Sequence, residues 1–118
     1  MGVRGVLIAC LLVVLATGVA HADARSEAVS QVEFGIAVAR RNLWKEARYR
    51  WERAVAIDPT YAAAYNNLAV AYERTGEFDK AREAYERAVE IEPNNLMIQQ
   101  NFDLFREIND RTSTSLDR

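Results

Sequence analysis

The sequence predicts an all-α chain, an α-solenoid of two helix–turn–helix repeats closed by a C-terminal capping helix. Three observations predict it. Apolar side chains recur at three- and four-residue steps along most of the chain, the spacing of one face of a helix. The chain also matches itself when displaced by about 34 residues, which is a solenoid period. Finally, residues that end helices stand at repeating positions: Asn42 and Gly76, then Pro59 and Pro93.

At the N-terminus, Arg4 is followed by a run from Gly5 to Ala20 with no charged side chain, and then by Ala20-His21-Ala22. A positive start, a short apolar stretch and a small-x-small site form the pattern of a secretory signal. Residues 1–22 are therefore expected to be a signal peptide cleaved after Ala22, with 23–27 a short lead-in. The run is shorter than the roughly 20 residues of a bilayer span. Leu7-Ile8-Ala9-Cys10 resembles a lipoprotein acylation site, but the apolar run continues past Cys10 where such proteins turn polar. Contact with a membrane is thus expected only through an uncleaved signal or a lipidated Cys10, and the expected location is periplasmic or secreted.

The first repeat is assigned to 28–61 and the second to 62–95. Displacement by 34 places pairs Ala28 with Ala62, Ala37 with Ala71, Arg40 with Arg74, Ala47 with Ala81 and Arg48 with Arg82. It goes on to pair Glu52 with Glu86, Arg53 with Arg87, Ala54 with Ala88, Val55 with Val89, Ile57 with Ile91 and Pro59 with Pro93. Within each unit, Asn42 or Gly76 separates two helices by adopting the left-handed backbone region, which glycine enters freely and asparagine tolerably. Pro59 and Pro93 end the second helices, because proline lacks an N–H and fixes its backbone angle. Gly35, Ala47, Ala69 and Ala81 keep the helix crossings narrow. Phe34, Trp44, Trp51, Leu68, Tyr72, Phe78 and Tyr85 are expected to fill the space between helices.

Tyr65, Leu68, Ala69, Tyr72, Gly76, Ala81, Tyr85, Ala88 and Pro93 of the second unit resemble the tetratricopeptide repeat (TPR) pattern almost in full. The first unit carries Phe34, Gly35, Ala47, Trp51, Ala54 and Pro59, with Gln31 and Val38 in place of aromatics. Residues 96–109 continue the register as one more first-type helix, the capping helix of such proteins, with Ile98, Phe102 and Phe105 turned inward. Residues 110–118 are expected to be a flexible tail.

Catalysis finds no candidate residues. Removing 1–22 removes the only cysteine, Cys10, and the only histidine, His21. It leaves 15 minus 1, or 14, basic residues against 17 acidic ones, a net of −3. A chain without histidine cannot run Ser-His or Cys-His chemistry. The carboxylates of the second helices alternate with arginines at i,i+4, as in Arg82 with Glu86 and Glu83 with Arg87, which is a solvated face. No enzyme activity, no cofactor, no metal site and no nucleic-acid partner is expected.

The TPR resemblance implies a protein or peptide partner held in a concave groove lined by the first helices. Carried over position by position, the groove comprises Val29, Val32, Ile36 and Arg40, then Ala63, Asn66, Val70 and Arg74, with Met97, Gln100 and Leu104 closing it. Val29, Val32 and Ile36 are assigned to an exposed stripe, while Phe34 and Val38 serve the core. The carboxylate clamp of chaperone-binding relatives requires lysine and asparagine where this chain has Val32 and Ile36, and only Asn67 matches, which argues against a C-terminal carboxylate ligand. The expected role is an exported protein–protein interaction adaptor or scaffold that binds a hydrophobic peptide or helix. The alternatives are a self-associating structural module, such as a homodimer, or an inner-membrane-anchored accessory subunit of an envelope complex.

Overall fold

The computed structural model describes the backbone of residues 3–116 and the side chains of residues 20–116; the side chains around Arg4 and Cys10 lie outside it. Five helices follow one another: α1 (Val3–Ala39), α2 (Trp44–Ile57), α3 (Ala62–Arg74), α4 (Phe78–Ile91) and α5 (Leu96–Leu116). Helix α1 runs without a break across the candidate cleavage site and the lead-in. Among the described residues, no helix is long and apolar enough to cross a membrane.

The turns form as their residues dictate. Asn42 (φ 64°) and Gly76 (φ 76°) both take left-handed backbone angles. At each, the next residue donates five positions back, Leu43 N–H to the Val38 carbonyl at 3.1 Å and Glu77 N–H to that of Tyr72 at 2.8 Å. Asn42 and Gly76 themselves donate to Ala39 and Glu73. This pair of hydrogen bonds closes the carbonyl end of a helix and turns the chain back on itself. At the start of α5 the Asn95 side-chain oxygen accepts the Ile98 N–H at 3.2 Å and so serves as the N-cap.

The core is rich in alanine. Ala28, Ala47, Ala54, Ala64 and Ala71 are fully buried with Val32, Trp51 and Leu68 where α1, α2 and α3 meet. Ala69, Ala81 and Ala84 pack with Tyr85 and Phe105 where α3 and α4 meet α5. Small side chains let the helices approach closely, so a few large ones, chiefly Tyr85, Phe105 and Ile98, fill what remains.

Three expectations about packing are corrected here. Val32, placed on an exposed stripe, is only 4% exposed. Gly35 admits the Trp51 indole against α1, and its Nε1 donates to the Val32 carbonyl at 3.1 Å, so α2 covers this part of the helix. Phe34, placed in the core, is instead 48% exposed. Its counterpart Leu68 is buried among side chains of the first unit, and among the described residues no unit precedes Phe34 to cover it. Phe78 is likewise half exposed, at the start of α4.

Helix α5 runs on to Leu116, past the expected start of a flexible tail at 110. The hydroxyls of Thr112, Ser113, Thr114 and Ser115 donate to carbonyls one turn back, and Arg111 pairs with Glu107. Local bonds therefore carry this turn of helix, with its side chains exposed.

One buried carboxylate fixes α1 to the rest. Asp58, 2% exposed, ends α2 and accepts the Arg25 guanidinium, the Thr60 hydroxyl at 2.6 Å and the Thr60 N–H at 3.0 Å. Arg25 also donates to the Thr60 carbonyl and lies 4.7 Å above the Tyr61 ring. Burial pushes the Asp58 carboxyl up, but the bonds from Thr60 and Arg25 outweigh it and hold it at about 2, below its ordinary 3.8. A carboxylate depressed by folding contributes stability that is present above its unfolded value and is lost as pH falls through the folded one. The clamp should therefore weaken between about pH 4 and pH 2. Because Arg25 is partly exposed, the contribution is on the order of 1–2 kcal/mol. Asp58→Asn should lose it at neutral pH and flatten this part of the acid-unfolding curve, which circular dichroism against pH would record.

Candidate functional site

The first helices of the repeats, α1, α3 and α5, line one side of the stack. Between α3 and α5 they leave an open cavity of about 570 Å³. Val70, Glu73 and Arg74 form one wall, and Asn101, Leu104, Ile108 and Asn109 the other. Phe78, Tyr85 and Phe105 stand between them. Leu104 is 58% exposed and Ile108 56%, so with Phe78 they give the groove an apolar surface open to solvent. Such a grouping of exposed large side chains marks an interaction site.

Polar groups in and beside this groove are tied to one another. Asn101 donates from its side-chain amide to Asn66 Oδ1 at 3.1 Å, bridging α5 to α3. The Tyr85 hydroxyl donates to Glu73 at 3.1 Å. Burial raises the Glu73 carboxyl above its ordinary value, with opposing contributions from Tyr85 and Arg74. Burial and the Glu73 charge together push the Tyr85 phenol up as well, so it remains a donor. These bonds fix the spacing of α3, α4 and α5 and hence the width of the groove.

Of the eleven residues assigned to the groove from sequence, Val70, Arg74 and Leu104 meet in this cavity. Met97 and Gln100 are exposed on α5, and Arg40 is exposed at the end of α1. Val29, Ile36 and Ala63 are partly buried, and Ile36 packs against the first core cluster. Val32 and Asn66, which share one repeat position, are both buried at 4% and present little surface to a partner. Helix α2 covers the first, and the Asn101 side chain bonds the second. Phe78 and Ile108 were missed. Ile108 was legible, since it stands 34 residues after Arg74; Phe78 was not, because its repeat position reads as core.

The far side of α5 is polar. Gln99, Asp103 and Arg106 occupy the positions that correspond to Tyr65, Ala69 and Tyr72, and Arg106 pairs with Asp103 while lying over Phe102. Among the described residues, no group of three His, Cys, Asp or Glu side chains is placed to hold a metal ion.

Residues 62–95 match the family described as Tetratricopeptide repeat, and residues 38–76 match that described as TPR repeat. No curated protein sequence matches the chain. Among solved structures, "Crystal structure of MamA" is 32% identical with a TM-score of 0.66, over 71% of this chain and 49% of that one. A second, "Crystal structure of MamA protein", is 29% identical with a TM-score of 0.66, over 80% and 51%. "First TPR of Spaghetti (RPAP3) bound to HSP90 peptide SRMEEVD" shares the fold at 24% identity and a TM-score of 0.67, over 71% and 68%. The chain thus spans about half the length of the MamA chains it matches. Repeat pattern, helix pairing and these matches agree that this is a tetratricopeptide repeat protein, an all-α helical solenoid.

Proposed function

We propose that the chain is an exported protein–protein interaction adaptor whose groove between α3 and α5 takes an apolar segment of a partner polypeptide, as an extended peptide or a helix. The observation that carries this reading is the convergence of Phe78, Leu104 and Ile108, each about half exposed, on one open cavity. Buried in a complex, such half-exposed side chains each contribute about 1 kcal/mol, roughly half the value for full burial. The related TPR fold of Spaghetti is bound to a peptide, which supports a polypeptide ligand here. Binding fits a surface that offers apolar side chains beside polar groups such as Asn101 and Tyr85 that are bonded within the fold. Export rests on the Ala20-His21-Ala22 site behind its short apolar run.

The test uses the full chain with Leu104→Ser and Ile108→Ser combined. Both side chains are mostly exposed, so helicity and melting should stay near wild type while a partner captured from the native envelope fraction is lost. Retained capture by the folded variant would remove the groove from the reading. Loss of a light-scattering mass from dimer to monomer would make the partner a second copy. The intact mass of the exported protein should correspond to a chain that begins at Asp23; one that begins at Met1 and is extracted only by detergent would replace export with anchoring.

A further inference from the structure

The ion pairs of this protein leave its cations unevenly satisfied. Among the described residues, Arg25, Arg48, Arg50, Lys80, Arg82, Arg87, Arg106 and Arg111 each have a carboxylate partner. Arg40, Arg41, Lys45, Arg53 and Arg74 have none among those residues. Four of these five belong to one edge of the stack. Arg40 and Arg41 lead into the α1–α2 turn, Lys45 leaves it, and Arg74 ends α3 beside it.

That edge holds a cleft of about 690 Å³ lined by Asn42, Leu43, Trp44, Lys45, Glu46, Arg74 and Thr75. Glu46 is occupied by Arg50 at 2.8 Å. Trp44 is fixed in place: its Nε1 donates to the Asn42 side chain at 2.7 Å, and the Arg74 guanidinium lies 5.0 Å from the centre of its ring. Leu43 is 47% exposed. The cleft therefore joins an apolar surface to two cations without carboxylate partners, Lys45 and Arg74, and Arg40 and Arg41 precede it in the chain.

Repeat architecture does not require this charge. The matching turn of the second unit reads Thr75-Gly76-Glu77-Phe78-Asp79 where the first reads Arg41-Asn42-Leu43-Trp44-Lys45, so two basic positions become Thr and Asp. The second turn is satisfied within the fold, because Glu77 accepts from Thr75, Lys80 and Arg48, bonds that hold its carboxyl at about 2. Cations at the ends of α1 and α3 are favoured by the helix dipole, which accounts for Arg40 and Arg74. Lys45 sits in the first turn of α2, where the same dipole disfavours a positive charge.

We propose that this edge is a second docking site, bordering the apolar groove at Arg74 but otherwise separate from it, for an acidic segment of a partner protein. Carboxylates of that segment meet Arg40, Arg41, Lys45 and Arg74, and one apolar side chain enters the cleft against Trp44 and Leu43. Charge complementarity selects the occupant, since the edge is cationic on a chain whose net charge is −2. A protein segment is favoured over an anionic bilayer by the shape of the site, because a cleft of about 690 Å³ beside these cations admits a single side chain between flanking carboxylates.

The experiment titrates the full chain with a blocked peptide, Glu-Glu-Leu-Glu-Glu, and follows tryptophan fluorescence; Trp51 is buried, so the change reports Trp44. Saturable binding that weakens with added salt is expected. R41Q with K45Q should weaken it about tenfold, the loss expected from two charge contacts of modest size, with helicity unchanged. The Leu104→Ser and Ile108→Ser variant should bind this peptide as wild type does, which separates the site from the groove. Equal binding of Gln-Gln-Leu-Gln-Gln, or an affinity unaffected by R41Q with K45Q, would overturn the proposal. So would capture by phosphatidylserine vesicles without peptide binding, which makes the ligand a lipid surface. A light-scattering mass that falls from dimer to monomer as salt rises would assign the edge to a second copy instead.

Discussion

Replacing Phe105 by alanine is expected to cost about 3–5 kcal/mol, the usual loss for a fully buried phenylalanine. Phe105 is 1% exposed and, together with Ile98, packs α5 on the second repeat. Its ring centre lies 5.4 Å from that of Tyr85 and 6.4 Å from that of Phe102, and Phe102 stacks on Tyr85 at 5.6 Å. On the solvent side, the Arg82 guanidinium lies 5.4 Å from the Phe105 ring and also pairs with Asp110. An array of two repeats has little stability to spare, because a solenoid unit cannot bury its apolar side alone. The loss is therefore a large share of a typical total of about 5–15 kcal/mol. Urea unfolding followed by circular dichroism should show a lower midpoint and, where α5 detaches first, a smaller slope. A midpoint and slope equal to wild type would mean that α5 does not cap the stack.

The second large effect is expected at Gly35. A Cβ added there would lie 2.7 Å from Trp51 Cε2 and 2.8 Å from Cδ1, closer than packed carbons approach. The indole is 3% exposed and bonded to the Val32 carbonyl, so it cannot swing away without breaking that bond and opening the first core cluster. Overpacking costs about 1–3 kcal/mol and the lost hydrogen bond about 0.5–1.5. Alanine recovers up to about 1 kcal/mol of helix propensity, which does not offset them. Gly35→Ala should destabilise the protein by about 2 kcal/mol in thermal or urea unfolding. Its effect should vanish or reverse in a Trp51→Leu background, because the smaller side chain leaves room for the methyl group. Additive losses in that double-mutant cycle would place the cost outside the Gly35–Trp51 contact.

The groove was only partly legible in the sequence. A 34-residue register names which positions lie on first helices, and it correctly brought Val70, Arg74 and Leu104 to one cavity. It does not say how far α2 rotates over α1. That angle follows from the contact between Gly35 and Trp51, two residues sixteen apart whose fit depends on shape rather than on hydropathy. Phe34 reads as core because its counterpart Leu68 is core, yet burial of that position needs a preceding unit. Periodicity treats all repeats alike, whereas exposure depends on where in the stack a repeat stands.

By itself the sequence determined what is local or periodic. It set the helix–turn–helix alternation, the left-handed turns at Asn42 and Gly76, the alanines and glycine at the crossings, and the inward side of α5 at Ile98 and Phe105. Each of these follows from backbone geometry or from spacing along one helix, which a linear pattern records. Tertiary structure alone decided that Val32 and Asn66 are buried, that Phe34 and Phe78 are exposed, and that Arg25 reaches Asp58 across 33 residues. It also gathered Arg40, Arg41, Lys45 and Arg74 on one edge. Burial and charge pairing are set by which surfaces meet after the helices stack, and that depends on the volumes of side chains far apart in the chain.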